Sequence, residues 1–271
     1  VLSTGTLRAH LLAARLAGSV ATSREANLRS YRLFAAGDPR VLLGLEPRWP
    51  WSEGELLTLM AEKCGVSADP GHVTGPDVID PERTLGALEA FAARLRSVAR
   101  RRAPVLLGTG HPHRLLEFYA SLAQALSAAG CEVLTPAQGC PVDITTRFGV
   151  RTHRLDYVRG VALMRDPGAQ RSGCAPGVHS HSPLPVRTAL AALAESELPL
   201  PELVVGDHGW VCAAGQLGLE AIGLADTDDP ALFVGEAEGR VSVAVPVDDG
   251  VRSDYYRPLT RYVLGRAALW A

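Results

Sequence analysis

From residue 104 onward, short apolar runs end in Gly, Asp or His and give way to stretches of helical period. Val105-Leu106-Leu107 leads into Gly108-Thr109-Gly110-His111, and a helical pattern fills 113–128 as far as Gly130. Leu203-Val204-Val205 leads into Gly206-Asp207-His208-Gly209, and the run 221–225 leads into Asp226-Thr227-Asp228-Asp229. Runs with no polar face suit strands covered on both sides, and parallel strands need helical crossovers between them. The alternation therefore predicts an α/β chain: a three-layer, flavodoxin/Rossmann-like, mostly parallel sheet with an N-terminal helical region.

The first hundred residues carry helical patterns at 6–16, 23–34, 52–64 and 81–101, the last opened by Asp80-Pro81. A Pro-, Gly- and Asp-rich loop is expected at 66–81. This suggests a helical region over 1–101 packed on a sheet region over 102–271, the two forming one compact unit. Further strands are expected at 132–135 and 241–245, and 150–158 and 161–164 are expected to pair around Arg159-Gly160. Residues 136–149 and 166–178 read as loops, the second mobile. Helices are expected at 183–195 and 253–269.

Composition narrows the function classes. The chain is 47% hydrophobic with a net charge of −2, so it can bury a core and offers no global field for nucleic acid or acidic lipid. The local cations Arg94, Arg96, Arg100, Arg101 and Arg102 fit the carboxyl end of a helix, where they complement its dipole. No apolar run approaches the roughly 20 residues of a membrane span, and the N-terminus has no basic-then-apolar leader. Cys64, Cys131, Cys140, Cys174 and Cys212 form no CxxC pair, which argues against a zinc ribbon and for a reduced, cytoplasmic protein. Cys131 and Cys212 read as buried fillers. Cys140 and Cys174 are the two thiols to weigh as nucleophiles, and neither has a helix-start context.

Three motifs hold five of the eight histidines: Gly108-Thr109-Gly110-His111-Pro112-His113, His179-Ser180-His181-Ser182-Pro183 and Gly206-Asp207-His208-Gly209. Imidazoles exchange protons and bind metals near neutral pH. In an open parallel sheet the turns after the strands share one edge, which is where ligands bind. Glycines and a helix start after a strand aim N–H groups at an anion. Thr109 and Gly110 are thus expected to cradle a phosphate. Ser182 suits both a helix cap and a phosphate contact, and His-x-His at His179 and His181 can chelate a metal. Asp207 can orient an imidazole, act as a general acid or bind a cation. As adjacent side chains rarely face each other, its expected partner is His111 or His181 rather than His208. Asp226 fits a turn as well as it fits catalysis. On the second helix, Arg24 and Asn27 share a face and are placed to clamp a phosphate across a cleft, or to lie on a solvated surface.

Anion-binding helix starts, imidazoles and one carboxylate suit hydrolysis of a small phosphate monoester. The expected catalytic residues are His111, His181 and Asp207. Thr109, Gly110, His113, His179, Ser182, His208, Arg24 and Asn27 are the expected binding residues. A phosphohistidine intermediate and metal-activated water remain open alternatives. A divalent metal such as Mg²⁺ fits the pattern but is not required by it. The Arg-His-Gly, Asp-x-Asp and Cys-x5-Arg signatures of other phosphatase classes are absent. The alternatives are a sugar-phosphate isomerase-like enzyme, on the strength of the Gly108-Thr109-Gly110-His111 turn, and a non-catalytic phospho-ligand-binding module. A homo-oligomer is compatible with all of these.

Two resemblances bear on these expectations. The stretches Leu2-Ser3-Thr4, Gly108 to Leu115, Ser182-Pro183-Leu184-Pro185, Gly206-Asp207-His208-Gly209-Trp210 and Asp254-Tyr255-Tyr256-Arg257-Pro258-Leu259 resemble a family of actinobacterial phosphatases over nearly the whole chain. That resemblance implies phosphatase activity and leaves substrate and mechanism open. Residues 201–266 resemble the last part of the second protein of the small ribosomal subunit, through Pro201-Glu202-Leu203-Val204-Val205, Gly218 to Pro230 and Val245-Pro246-Val247-Asp248-Asp249. This second likeness implies a flavodoxin-like sheet and no function.

Overall fold

The computed structural model describes residues 2–146, 149–168 and 177–269. Cys174 and most of the loop expected at 166–178 lie outside these residues. Helices α1 (Thr4–Ala13), α2 (Arg24–Ala35), α3 (Pro39–Leu42), α4 (Glu53–Cys64) and α5 (Pro81–Arg101) occupy the first hundred positions. Their starts follow from the sequence. Ser3, Ser23 and Asp80 accept a backbone N–H from the first turns of α1, α2 and α5, and Ser52 and Glu55 form a reciprocal capping box at α4. The region is not purely helical. Strands β1 (Gly18–Ser23) and β2 (Pro76–Ile79) pair antiparallel, and β2 lies within the segment expected to be a loop.

The remainder builds β3 (Val105–Gly108), α6 (Pro112–Ala128), β4 (Pro141–Thr146), β5 (Gly149–Val158), β6 (Val161–Arg165), α7 (Leu184–Glu195), β7 (Leu203–Asp207), α8 (His208–Gln216), β8 (Ala221–Ala225), α9 (Pro230–Ala237), β9 (Val243–Pro246) and α10 (Arg257–Ala267). A 3₁₀ turn, Ser253–Tyr256, precedes α10. The main sheet has the order β4-β5-β6-β3-β7-β8-β9. β6, β3, β7, β8 and β9 run parallel, and β5 and β4 close one edge antiparallel. β4 corrects the loop expected over 136–149. The strand expected at 132–135 is reduced to a bridge between Val105 and Val133.

Successive residues of the central strands face opposite layers. Val105, Leu107, Leu203, Val205, Ile222 and Leu224 join α1, α5, α6 and α10 in one core. Leu106, Val204, Ala221 and Ala225 join α2, α4, α7, α8 and α9 in the other. The result is the three-layer arrangement expected from the alternation. Small residues let α8 approach closely: a Cβ on Gly108 would sit 2.2 Å from the Trp210 ring. Among the described residues, no helix is long and apolar enough to cross a membrane.

β3 lies between β6, reached through α6 and the β4–β5 hairpin, and β7, reached through α7. The chain therefore diverges to both sides of β3. Crevices at such divergence points, outside the carboxyl ends of the strands, are where open α/β sheets hold ligands.

Candidate functional site

A cleft of about 560 Å³ opens at that edge. Its walls include His111 after β3, His208 after β7, Asp226, Asp228 and Asp229 after β8, Asp248 and Asp249 after β9, and His179 and His181 before α7. Four strand-end turns and the segment before α7 thus supply one cluster. The N-terminal region closes the opposite wall with Ala14, Arg15, Ala21 and Thr22. It is fastened there by Asp248, which accepts the Ala21 N–H at 3.0 Å, and by Asp226, which accepts the Thr22 hydroxyl.

The four imidazoles lie against one another. His181 stacks on His208 with centroids 3.8 Å apart, and His111 lies 4.3 Å from both His179 and His208. His179 Nε2 and His181 Nε2 are 3.1 Å apart. His208 Nε2 is 3.1 Å from Asp229 Oδ2 and 3.6 Å from Asp249 Oδ2, and His111 Nδ1 is 3.5 Å from Asp249 Oδ2. Yet His111 Nδ1, both nitrogens of His208 and Asp249 Oδ2 are buried and make no hydrogen bond. The donor atoms of His111, His179 and His208 all lie within 4.8 Å of one another, as do those of His181, His208 and Asp229. Either set has the residue types and proximity to hold a metal ion.

The electrostatics divide the cluster. Desolvation and the nearby His208 push His179 down to about 4 and His181 to about 3. His111 is lowered for the same reasons. These three rings are therefore neutral at pH 7, with lone pairs available. His208 is opposite: its complete burial opposes charge, but Asp229 and then Asp207 raise it to about 9. Burial and the neighbouring carboxylates raise Asp228 to about 7 and push Asp226 and Asp249 upward as well. Asp229 is held low: burial opposes its charge, but the surrounding His208, His181 and His111 together outweigh that desolvation.

The His208 backbone has φ +45°, in the left-handed region. Non-glycine residues rarely adopt it, and functional sites are where such strain concentrates. The turn brings the His208 ring back over the strand end, placing Nδ1 3.7 Å from Asp207 Oδ1. The expectation that adjacent residues would not face each other fails here for that reason.

The structure also redistributes other expected residues. Asp207 is fully buried and accepts the Thr109 hydroxyl and the Gly110 N–H, both at 2.6 Å. Thr109 Oγ1 in turn accepts the His111 N–H at 2.9 Å. The Thr109-Gly110 turn therefore points its donors at Asp207, not at an anion in the cleft. A Cβ on Gly110 would meet Ser180 O at 2.2 Å and His208 Nδ1 at 2.8 Å, so this tight turn is what lets the His179–His181 segment dock. His113 is exposed on the first turn of α6 and outside the cleft lining, and Ser182 Oγ accepts the Leu184 N–H at the start of α7.

Arg24 and Asn27 do not face the cleft. Both are buried against Asp77 of β2, at 3.1 and 2.9 Å, and the remaining Arg24 donors hold the carbonyls of Asp69 and His72. A buried carboxylate demands such a partner, and Asp77 lies too far along the chain for sequence spacing to show the pairing. The cations that do reach the cleft are Arg15 and Arg252. The wall residues missed by sequence reasoning are mainly Asp229 and Asp249. Their signal was an Asp at each strand end, as at Asp207.

Comparison with known proteins bears on this site. The sequence profile of a family described as Phosphatase matches residues 2–271. The chain belongs to this phosphatase family. Phosphatase SCO2771 of Streptomyces coelicolor is 45% identical over 265 residues, which cover 97% of this chain and 95% of that protein. The family match takes in every turn that lines the cleft of this phosphatase, including the strand-end histidines.

Proposed function

We propose that this phosphatase hydrolyses a small phosphate monoester in the histidine-lined cleft. The observation that carries the proposal is the convergence of His111, His179, His181 and His208 with Asp229 and Asp249 at the carboxyl edge of the sheet. Water adds to phosphorus, the ester P–O bond breaks, and the leaving oxygen takes up a proton to give an alcohol and inorganic phosphate. His111 and His181 keep the catalytic assignment suggested by the sequence, and His208 and His179 join them around the phosphoryl group. Asp207 is a positioning residue, since its oxygens are engaged by Thr109 and Gly110 and so hold the turn that carries His111. The ester's organic part lies toward Arg15, Arg252 and Tyr255 at the cleft wall.

The test is phosphate release from a panel of sugar, nucleoside and aryl phosphates by the wild type and His181→Ala. Release that falls to background in a variant with unchanged secondary structure and melting temperature supports the proposal. Release that persists at full rate removes the cluster from the mechanism. Tight binding of an ester without release would favour a phospho-ligand-binding module, and interconversion of sugar phosphates an isomerase.

A further inference from the structure

The cleft poses an electrostatic difficulty for the substrate proposed above. A phosphate monoester is an anion, and Asp226, Asp228, Asp229, Asp248 and Asp249 all line the cavity. Besides His208, which faces Asp229 and Asp249, the cations on the same walls are Arg15 and Arg252. Arg15 donates to the carbonyls of Ser19 and Val20, and Arg252 is forked onto Asp254. Arg24, the guanidinium that sequence spacing offers for this task, is sealed against Asp77. With His208 facing Asp229 and Asp249, an anion entering this cleft needs more positive charge than the side chains supply, because like charges repel strongly where water is excluded.

The polar atoms at the base of the cleft are arranged as if around such a centre. His208 is 1% exposed, and neither of its ring nitrogens makes a hydrogen bond. Asp249 Oδ2 and His111 Nδ1 are likewise buried and unpartnered, and both are aimed into the cluster. Buried polar atoms without partners are uncommon and call for a bound water or ion, or for function. The separations fit a metal ion. Metal–ligand bonds of about 2.0–2.2 Å place neighbouring donors roughly 3.0–3.6 Å apart. Within one donor set His208 Nε2–Asp229 Oδ2, at 3.1 Å, falls in that range, as does His179 Nε2–His181 Nε2 at 3.1 Å, which links the two sets; the remaining donors of each set lie within 4.8 Å of one another, and Asp249 Oδ2 stands beside them at 3.5 Å from His111 Nδ1 and 3.6 Å from His208 Nε2. Asp207 Oδ1 lies 3.7 Å from His208 Nδ1 without a hydrogen bond between them, so its charge faces the ring that both donor sets share.

We infer that the cluster is a transition-metal centre: at least one first-row dication of the zinc, manganese, iron or cobalt class, held by the overlapping donor sets His111, His179, His208 and His181, His208, Asp229. Imidazole-rich donors select these ions over Mg²⁺, which prefers an all-oxygen shell. The ion neutralises the carboxylates and receives the phosphoryl oxygens. The inference rests on the phosphatase reading for the anion argument, and on geometry alone for the donor sets.

The test uses the full chain stripped with a chelator and dialysed, then titrated with Co²⁺, with Zn²⁺ and with Mg²⁺. Binding is read by calorimetry and by the visible absorption of bound Co²⁺, so no turnover is needed. The expected result is saturable Co²⁺ and Zn²⁺ binding that Mg²⁺ fails to displace. His179→Ala, at the exposed mouth of the cluster, and Asp229→Asn should each weaken binding by at least about 10–100-fold, the loss that follows removal of even an outer partner of a ligand. Failure of Co²⁺ and Zn²⁺ to bind, with ester hydrolysis unaffected by chelation, overturns the metal centre and leaves the phosphatase reading standing. Tight Co²⁺ binding without hydrolysis of any ester upholds the centre and overturns that reading. Undiminished binding by a folded His179→Ala and a folded Asp229→Asn overturns the donor assignment.

Discussion

Replacing Asp207 separates a positioning role from a catalytic one. Its two carboxylate oxygens accept the Thr109 hydroxyl and the Gly110 N–H in a fully buried site. In Asp207→Ala both donors lose their partner with no water beside them. Each orphaned group costs about 1–3 kcal/mol, so the variant should lose roughly 2–6 kcal/mol of unfolding free energy. Asp207→Asn keeps the shape. Its Oδ1 can accept the Gly110 N–H, and its amide can donate to Thr109 Oγ1. Burial pushes the Asp207 carboxyl above its ordinary value, so the native charge is held against a desolvation cost that Asn removes. The bond from Gly110 becomes a neutral one and the Thr109 hydroxyl proton loses its acceptor, so the net loss should be about 1–3 kcal/mol, roughly half that of the Ala variant. Urea unfolding followed by circular dichroism gives both numbers, and phosphate release measured on the same samples gives the activity. The reasoning predicts an Ala variant that is much less stable and an Asn variant that loses about half as much stability and is substantially active. A folded Asn variant with background turnover would refute it and make the Asp207 carboxylate a participant in the chemistry.

Three further outcomes are expected. Gly108→Ala drives a methyl group into the Trp210 ring, and this overpacking between β3 and α8 should lower stability by about 1–3 kcal/mol; a variant as stable as wild type in urea would show that α8 can shift away. Arg24→Ala breaks a buried pair with Asp77 and should cost about 3–5 kcal/mol by denaturation, whereas competitive inhibition by free phosphate in the protein that remains folded should be unchanged. Loss of phosphate affinity there would return Arg24 to the site. His208→Gly should be more stable than His208→Ala by about 1 kcal/mol, because glycine meets no Cβ clash at φ +45°, and both should lack turnover; equal melting temperatures would argue against strain at this turn.

Much of the architecture is legible in the sequence because buried parallel strands announce themselves as apolar runs with sharp ends. β3, β7 and β8 are of this kind, and their Gly-, His- and Asp-bearing turns mark the cleft edge before any coordinates. β4 is not legible: it is an edge strand with alternate residues exposed, opened by a proline and lacking a continuous apolar run. β1, with the sequence Gly-Ser-Val-Ala-Thr-Ser, buries only Val20, so it carries little hydrophobic signal. The site shows the same boundary. His111, His179, His181 and His208 are visible as short motifs, and the sheet brings them together. The pairing of Arg24 with Asp77, and the engagement of Asp207 by Thr109 and Gly110, depend on contacts across 53 and 98 positions of chain. The facing of Asp207 and His208 depends on one backbone angle that no spacing rule contains. Asp229 and Asp249 were hidden because an Asp after a strand is more often a turn residue than a ligand.

The most direct test of the central claim is a crystal structure of the protein with orthovanadate, a mimic of the phosphoryl group in transit. Vanadium density among the His111, His179, His181 and His208 rings, with oxygens reaching the cluster and the open side facing Arg15 and Arg252, is the predicted result. Vanadate that inhibits hydrolysis but occupies another part of the molecule, such as the groove lined by Arg257 and Arg261 beside α6, would place the chemistry elsewhere and contradict the account.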